Sequence, residues 1–574
     1  MPDRPIPRRR FLKYFATAGL AGTTLPELLW AEALQGPVER PQLEACEKLA
    51  GLEFTDPERD LMLEDLNSLR EGYQVIEDLA LGPEVPPAFV FRPQPGNPNA
   101  DPSPARHPPL PAPPPDDEEA LPFLGLRQMA SLLRAGRLSS RRLTEIYLER
   151  LRQLGPGLEC VIHLTEERAL EEAEKADREL ASGRDRGLLH GLPWGAKDLM
   201  AARGYPTTWG AAPFREQRFD HDAAVVESLS RAGSVLSAKL TSGSLAWGDV
   251  WFGGTTRNPW APEKGSSGSS AGSASATVAG LVAFSLGTET LGSIVSPSTR
   301  CGATGLRPTF GRVSRFGVMP LAWTMDKVGP ICRSVEDCAL VLEAISGPDE
   351  RDPSTDDTRF RWNADLDPAP LRVGYLRSAF EAPRQDDEEQ DDEEWRRHDL
   401  ATLEKLGQLG FEMVPIELPD LPYEPLLLTI SVEAAAIFHQ LTSSDQDDEL
   451  KRQIRFAWPN VFRQAHLIPA VEYVQAQRVR TLWMQEIARI FEQVDVYLAP
   501  SWDKNLSITN LTGHPSITLP NGFRANGTPS SITLTGDLFR ENEMLAVAHA
   551  YQEATDFHRR RPDLSGLGPG GRPS

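Results

Sequence analysis

Three features of the chain predict an α/β fold: a large mixed β-sheet covered by helices on both faces, preceded by a helical appendage. Short apolar runs such as Val235–Lys239 and Leu281–Leu286 alternate with helix-periodic segments from Leu121 onward. A Gly/Ser-rich segment, Lys264 to Arg315, contains one of these runs, which empties into Gly287-Thr288-Glu289-Thr290-Leu291-Gly292-Ser293. Polar turns at strand ends are where α/β sheets place their ligands. At 574 residues the chain is also long enough for one large core with appendages.

The elements follow in order. Arg8-Arg9-Arg10-Phe11-Leu12-Lys13 followed by the mildly apolar Tyr14 to Leu25 resembles a twin-arginine export signal, so residues 1–33 are set aside as a signal segment. The apolar stretch is too short for a stable membrane span. Residues 34–82 form the appendage, with Leu61, Leu63, Leu66, Leu69 and Tyr73 at helical spacings. Residues 83–120 are a linker: 14 of the 33 residues from Pro83 to Pro115 are proline, which forbids helix and central strand alike.

The main body spans 121–560. Ser139-Ser140 can cap a helix carrying Leu143, Ile146, Tyr147 and Leu151 on one face. A second starts at Thr165 and stops at Gly183. Gly191-Leu192-Pro193-Trp194-Gly195-Ala196-Lys197-Asp198 reads as a strand that delivers a lysine. Further strands are expected at Leu371–Leu376, Val494–Ala499 and Ile517–Leu519, and residues 561–574 form a Gly/Pro-rich tail.

Composition excludes several functions. The net charge of −22 argues against nucleic acid, whose phosphates need basic patches. Part of that charge is the solvated run from Asp386 to Glu394. Five scattered cysteines make no disulfide scaffold, and the ten histidines include no HExxH or HxH spacing, so no metal is expected.

The Gly/Ser segment offers two decoys. Gly268-Ser269-Ser270-Ala271-Gly272 fits GxSxG, but a nucleophile elbow on Ser270 needs a strand just before it, and Pro259 to Lys264 cannot be a central one. A phosphate loop needs Gly-Lys-Ser/Thr, whereas Lys264 precedes its glycine. A flexible linker would not contain a core strand.

Read together, GLPWGAKDLM around Lys197, GSSAGSASA around Ser269, GTETLGSIVSPSTRCGATGLRPTFGRVSR around Ser293, TMDKVGPICRSVED and NLTGHPSITLPNGF resemble the amidase signature family of serine hydrolases. The resemblance implies that Ser293 is the nucleophile. It aligns Ser269, 24 positions earlier, with the family's serine on a cis peptide bond, and Lys197 with the lysine of the triad. It places the oxyanion hole at the backbone N–H groups of Thr290, Leu291, Gly292 and Ser293. No cofactor is implied. The substrate would be a small-molecule or peptide amide, the location periplasmic or secreted, and a homodimer is one assembly open to the chain.

These residue types suit the chemistry. A serine hydroxyl needs a base to take its proton. Lysine serves only when neutral, which requires desolvation or neighbouring cations. A lysine merely paired with Asp198 at the surface is the rival reading of Lys197.

Departures from the family pattern leave other functions open. Leu291 stands where the family has glycine, and Glu289 and Val295 stand where it has Asp and Arg, so the usual ion pair is expected to be missing. A binding protein without activity and an esterase remain alternatives; the export signal argues against an amidotransferase role. Arg307, Arg312 and Arg315 are expected to tie down the turn, and Trp251, Phe252 and Trp260 to wall the pocket or simply pack.

Overall fold

The computed structural model describes residues 37–50, 55–57, 59–60, 63, 66–67, 91–92, 105–114, 117–382 and 393–567. The signal segment, most of the appendage and linker, Asp386 to Asp392 of the acidic run and the end of the tail lie outside the described residues. The chain divides into two compact units, the first holding the described residues up to 67 together with 467–469. In that unit the helix Arg40–Ala50 is braced by Arg59, which donates to Glu47 at 2.9 and 2.8 Å.

The second unit is built on a mixed sheet of eleven strands. In chain order they are β1 (Val161–Leu164), β2 (Pro193–Lys197), β3 (Val235–Leu240), β4 (Phe284–Glu289), β5 (Thr304–Arg307) and β6 (Lys327–Cys332), then β7 (Val373–Leu376), β8 (Met413–Ile416), β9 (Val496–Pro500), β10 (Ser516–Phe523) and β11 (Pro529–Gly536). Their order across the sheet is β1-β3-β2-β4-β6-β5-β10-β11-β9-β7-β8. The β3-β2-β4 and β9-β7-β8 groups are parallel, and the remaining pairs antiparallel.

Every residue of β2, β3, β4 and β6 is buried, as expected for strands covered on both faces. The run Leu281–Leu286 was expected as a strand, but β4 starts only at Phe284 because Leu281 N–H donates back to Ala276 O at 2.8 Å, closing the preceding helix. Helices form where the sequence pattern puts them. Ser139 caps Ser140–Leu158 by accepting from Arg142 N–H at 3.0 Å, and Glu166–Ala181 follows Thr165.

The described part of the Pro-rich arm lies along this body. Arg106 bridges to residues 362 and 364, donating to Trp362 O at 2.8 Å and accepting from Ala364 N–H at 3.0 Å. Beyond it the arm offers carbonyls. Arg127 donates to Pro108 O (2.9 Å) and Pro109 O, Ser131 Oγ to Pro111 O (2.7 Å), and Arg137 to Pro113 O (3.3 Å). Proline lacks an N–H, so side-chain donors from the body must supply these bonds.

Candidate active site

β2 and β4 run parallel with Ala196 opposite Leu286, so their C-terminal ends lie side by side. β2 ends on Lys197, and β4 ends on the turn carrying Ser293. A third piece arrives from the Gly/Ser loop, where Ser269 and Ser270 precede the wholly buried helix Ala271–Val278. Small residues let this helix sit directly on the strand ends. The Gly268–Ser269 peptide bond is cis. Gly268 is required by crowding, since a Cβ there would lie 1.9 Å from Gly248 O.

Lys197 is fully buried. Its Nζ donates to Ser269 Oγ and Thr288 Oγ1, both at 2.8 Å, and to Ser270 Oγ at 3.1 Å. It is not a surface lysine paired with Asp198; that carboxylate faces Lys239 instead, at 2.7 Å. Burial drives Lys197 well below the ordinary lysine range, against the pull of Asp326 and Glu289. The Asp326 carboxyl is itself raised by burial, although Thr290 Oγ1 and the Leu321 and Ala322 N–H groups donate to it. Both shifts favour uncharged partners.

Ser270, the elbow decoy, is structural. Its Oγ donates to Thr288 O and accepts from Thr288 N–H, each at 3.1 Å, pinning the helix start to the end of β4. The strand before it, Ala261–Gly265, belongs to a separate two-stranded ribbon with Arg257–Asn258.

Ser293 is buried apart from a 7% exposure, on the turn between β4 and the helix Val295–Cys301. Gly292 adopts φ 81°, a conformation that glycine takes without strain. Ser293 O accepts from Ser270 N–H at 3.1 Å, tying the two serine loops together. Among the described residues no hydrogen bond joins the Ser269 and Ser293 hydroxyls, and none of the N–H groups of Thr290 to Ser293 has an acceptor. Catalytic hydrogen bonds commonly tighten only once substrate is bound.

The ion pair expected to be missing is supplied from another strand. Arg307, at the end of β5, donates to Glu289 Oε1 at 2.8 Å, with both side chains fully buried. Glu289 Oε2 accepts from Ile294 and Val295 N–H at 2.7 and 2.9 Å, so the added methylene of glutamate lets it hold the residues just after Ser293. Burial alone would raise this carboxyl; Arg307, Lys327 and the Val295 N–H outweigh it and hold it at about 2. Arg312 and Arg315 are likewise tied down, by Glu541 and Asp352.

Beside the turn lies a cavity of about 540 Å³ reaching Thr288 and Thr290. Its aromatic walls are Trp209, Phe219, Phe316, Trp323 and Phe91. The aromatic residues singled out from the sequence pack elsewhere: Trp251 against Phe252, and Trp260 on Phe523 with its Nε1 donating to Cys301 O. Leu291 does not line the cavity either. Sequence reasoning missed Thr288, Asp326, Lys327 and Asn510. Lys327 Nζ donates to Asn510 Oδ1 at 2.7 Å, and Asn510 Nδ2 to Glu289 Oε1 at 2.8 Å. Asp326-Lys327 and Asn510 fall within TMDKVGPICRSVED and NLTGHPSITLPNGF, which was the available signal.

Among the described residues there is no cluster of metal-ligating side chains, and no helix is long and apolar enough to cross a membrane.

Comparison with known proteins agrees with this arrangement. A family model described as Amidase matches residues 142–545. Curated relatives include the A-type subunit of glutamyl-tRNA(Gln) amidotransferase from Acinetobacter baumannii, 32% identical over 77% of this chain and 98% of its own. Its counterpart from Chromohalobacter salexigens is 34% identical over 76% and 98%. Among solved structures, the native peptide amidase of Stenotrophomonas maltophilia superposes with a TM-score of 0.67 at 30% identity, covering 77% of this chain and 99% of that one. With the match spanning most of the sheet and all three active-site segments, the chain belongs to the amidase signature family.

Proposed function

We propose that the protein hydrolyses a carboxylic amide through an acyl-enzyme on Ser293. The observation that carries this reading is the buried Lys197 Nζ, 2.8 Å from Ser269 Oγ, beneath a turn whose N–H groups have no acceptor among the described residues. Neutral Lys197 takes the Ser269 proton as Ser269 takes that of Ser293. The freed Ser293 Oγ bonds to the amide carbon, and the carbonyl electron pair moves onto oxygen, facing the N–H groups of Thr290 to Ser293. Each well-aimed donor there contributes on the order of 3 kcal/mol. Re-forming the carbonyl breaks the C–N bond, and the proton returns through Ser269 to the departing amine. Water then repeats the sequence on the ester and frees the acid. None of these steps calls for a cofactor.

The decisive experiment is hydrolysis of aliphatic, aromatic and peptide amides by the wild type beside Ser293→Ala and Lys197→Ala. Amine release by the wild type alone supports the reading. An inert wild type whose Ser293 also resists a fluorophosphonate probe would favour a binding protein on the same fold, while turnover of esters alone would indicate an esterase.

The curated relatives motivate a second reading, ammonia release from glutamine for an amidotransferase partner. The apolar, aromatic cavity favours a bulkier group than the glutamine side chain. Glutaminase activity appearing only with added partner proteins would favour this second role. The Arg8-Arg9 motif supports a periplasmic or secreted location, checked by fractionating cells that carry Arg8→Lys/Arg9→Lys.

A further inference from the structure

One wall of the cavity comes from outside the catalytic fold. Phe91 belongs to the Pro-rich arm, about fifty residues before the family match begins at 142. Its ring lies over the Arg480 guanidinium, 3.7 Å from carbon to centroid, and meets Phe310 edge-on at 5.1 Å and 75°. Both supports are rigid. Arg480 is 1% exposed and donates to Thr324 O at 2.8 Å and Leu511 O at 2.5 Å. Phe310 is equally buried, and Arg315 stacks on it at 4.9 Å.

The charged groups around the cavity are already satisfied. Arg315 is bound to Asp352, Ser354 and Trp323 O, Arg351 to Glu227 and Asp349, and His221 faces Asp220, while Asp326 holds Thr290 and Lys327 holds Asn510. What remains for a ligand is apolar and aromatic surface, with Phe91 as the wall not anchored in the sheet domain's own sequence.

We propose that Phe91 determines specificity: its ring forms one wall of the cavity, limiting the substrate to an uncharged, flat apolar group that fits against it. The inference rests on the hydrolase reading, because the limited group is one side of the scissile amide. Removing the ring enlarges the cavity without touching Lys197, Ser269 or Ser293, so the selectivity among substrates should shift while the reacting groups stay in place. Pockets discriminate apolar groups by roughly 10–200-fold for small size changes.

The test uses the full chain as wild type, Phe91→Ala, Phe91→Leu and Phe91→Trp. One amide series varies the acyl group (acetyl, benzoyl, naphthoyl) on a fixed aniline; the other varies the amine on a fixed acetyl. In one of the series, Phe91→Ala should raise kcat/KM for the naphthyl member relative to the phenyl member at least tenfold, and Phe91→Trp should lower it. A general loss of folding would depress all members together and leave the ratio unmoved. If Phe91→Ala does not fold, Phe91→Leu and Phe91→Trp carry the comparison. Binding of N-(2-naphthyl)acetamide and 2-naphthamide is followed in parallel by quenching of the cavity tryptophans Trp209 and Trp323. Altered affinity without turnover in any variant would overturn the hydrolase reading and leave Phe91 as the wall; unchanged ratios in both series and unchanged affinities would overturn the role of Phe91.

Discussion

Arg307 and Glu289 face each other at 2.8 Å with no solvent contact, and the same carboxylate holds the backbone just beyond Ser293. The pair therefore links β5 to the Ser293 turn. Removing one member leaves the other charged and buried, so Glu289→Gln and Arg307→Met should each destabilise the fold by about 3–5 kcal/mol. The double variant should recover much of that loss, as chemical denaturation of the four proteins would reveal.

The pair also sets an acid limit. Glu289 is held at about 2 in the fold against an ordinary value of 4.5. A carboxyl lowered by folding contributes stability that is complete above its unfolded value and lost as pH falls through its folded one. Wild-type stability should therefore fall between about pH 4.5 and 2, and Glu289→Gln should lose that part of the dependence. Thermal melts across this range check it.

At Lys197 the shift is also downward, but it favours the neutral form instead of the charged one. Burial lowers its amine, so the catalytically useful neutral form is populated at pH values where an exposed lysine is still protonated. The single-turnover rate should rise with pH through an apparent value well below 10.5, and Lys197→Ala should lose this limb along with roughly 10²–10⁴ of the rate. Ser293→Ala should lose at least about 10⁴, since it removes the nucleophile itself.

Asp326 acts at one remove. Its carboxyl accepts from Thr290 Oγ1 and from two N–H groups of residues 321 and 322, so it holds one end of the turn proposed to bind the oxyanion. Asp326→Ala should lower kcat on the order of tenfold to a hundredfold while KM changes little. Acylation of Ser293 by a fluorophosphonate should slow in step, which a merely unstable protein would not show once corrected for folded fraction.

Much of this was legible in the sequence because it rests on local pattern. Ser139 and Gly183 mark helix ends by their own chemistry, and Pro193–Lys197 is a short run bounded by a turn. Lys197, Ser269 and Ser293 stood out through the motifs around them. What stayed hidden depends on strands distant in sequence becoming neighbours in space. Arg307 meets Glu289, and Lys327 lies opposite it in register, only because β6 is paired between β4 and β5. The cavity walls stayed hidden for the same reason. Trp251 and Phe252 lie near the serine loop in sequence, whereas Trp209, Phe316 and Trp323 reach the cavity through the fold. Nothing in the composition of a proline-rich segment indicates that one of its phenylalanines enters a catalytic domain.

From Pro108 to Pro113 the arm docks mainly through its carbonyls, and this bears on how the protein can change. A segment that accepts hydrogen bonds and donates few cannot extend a sheet, so it can lie beside the domain without seeding pairing between molecules. Attachment of its described residues rests on Arg127, Ser131 and Arg137 of the body, with the backbone of Arg106 and an ion pair of His107 to Glu343 at 3.1 Å added from the arm. Substitutions at arm positions held only through their carbonyls can thus accumulate while the sheet and the Lys197, Ser269 and Ser293 segments stay constant, giving selection a way to retune the cavity wall from outside the sheet.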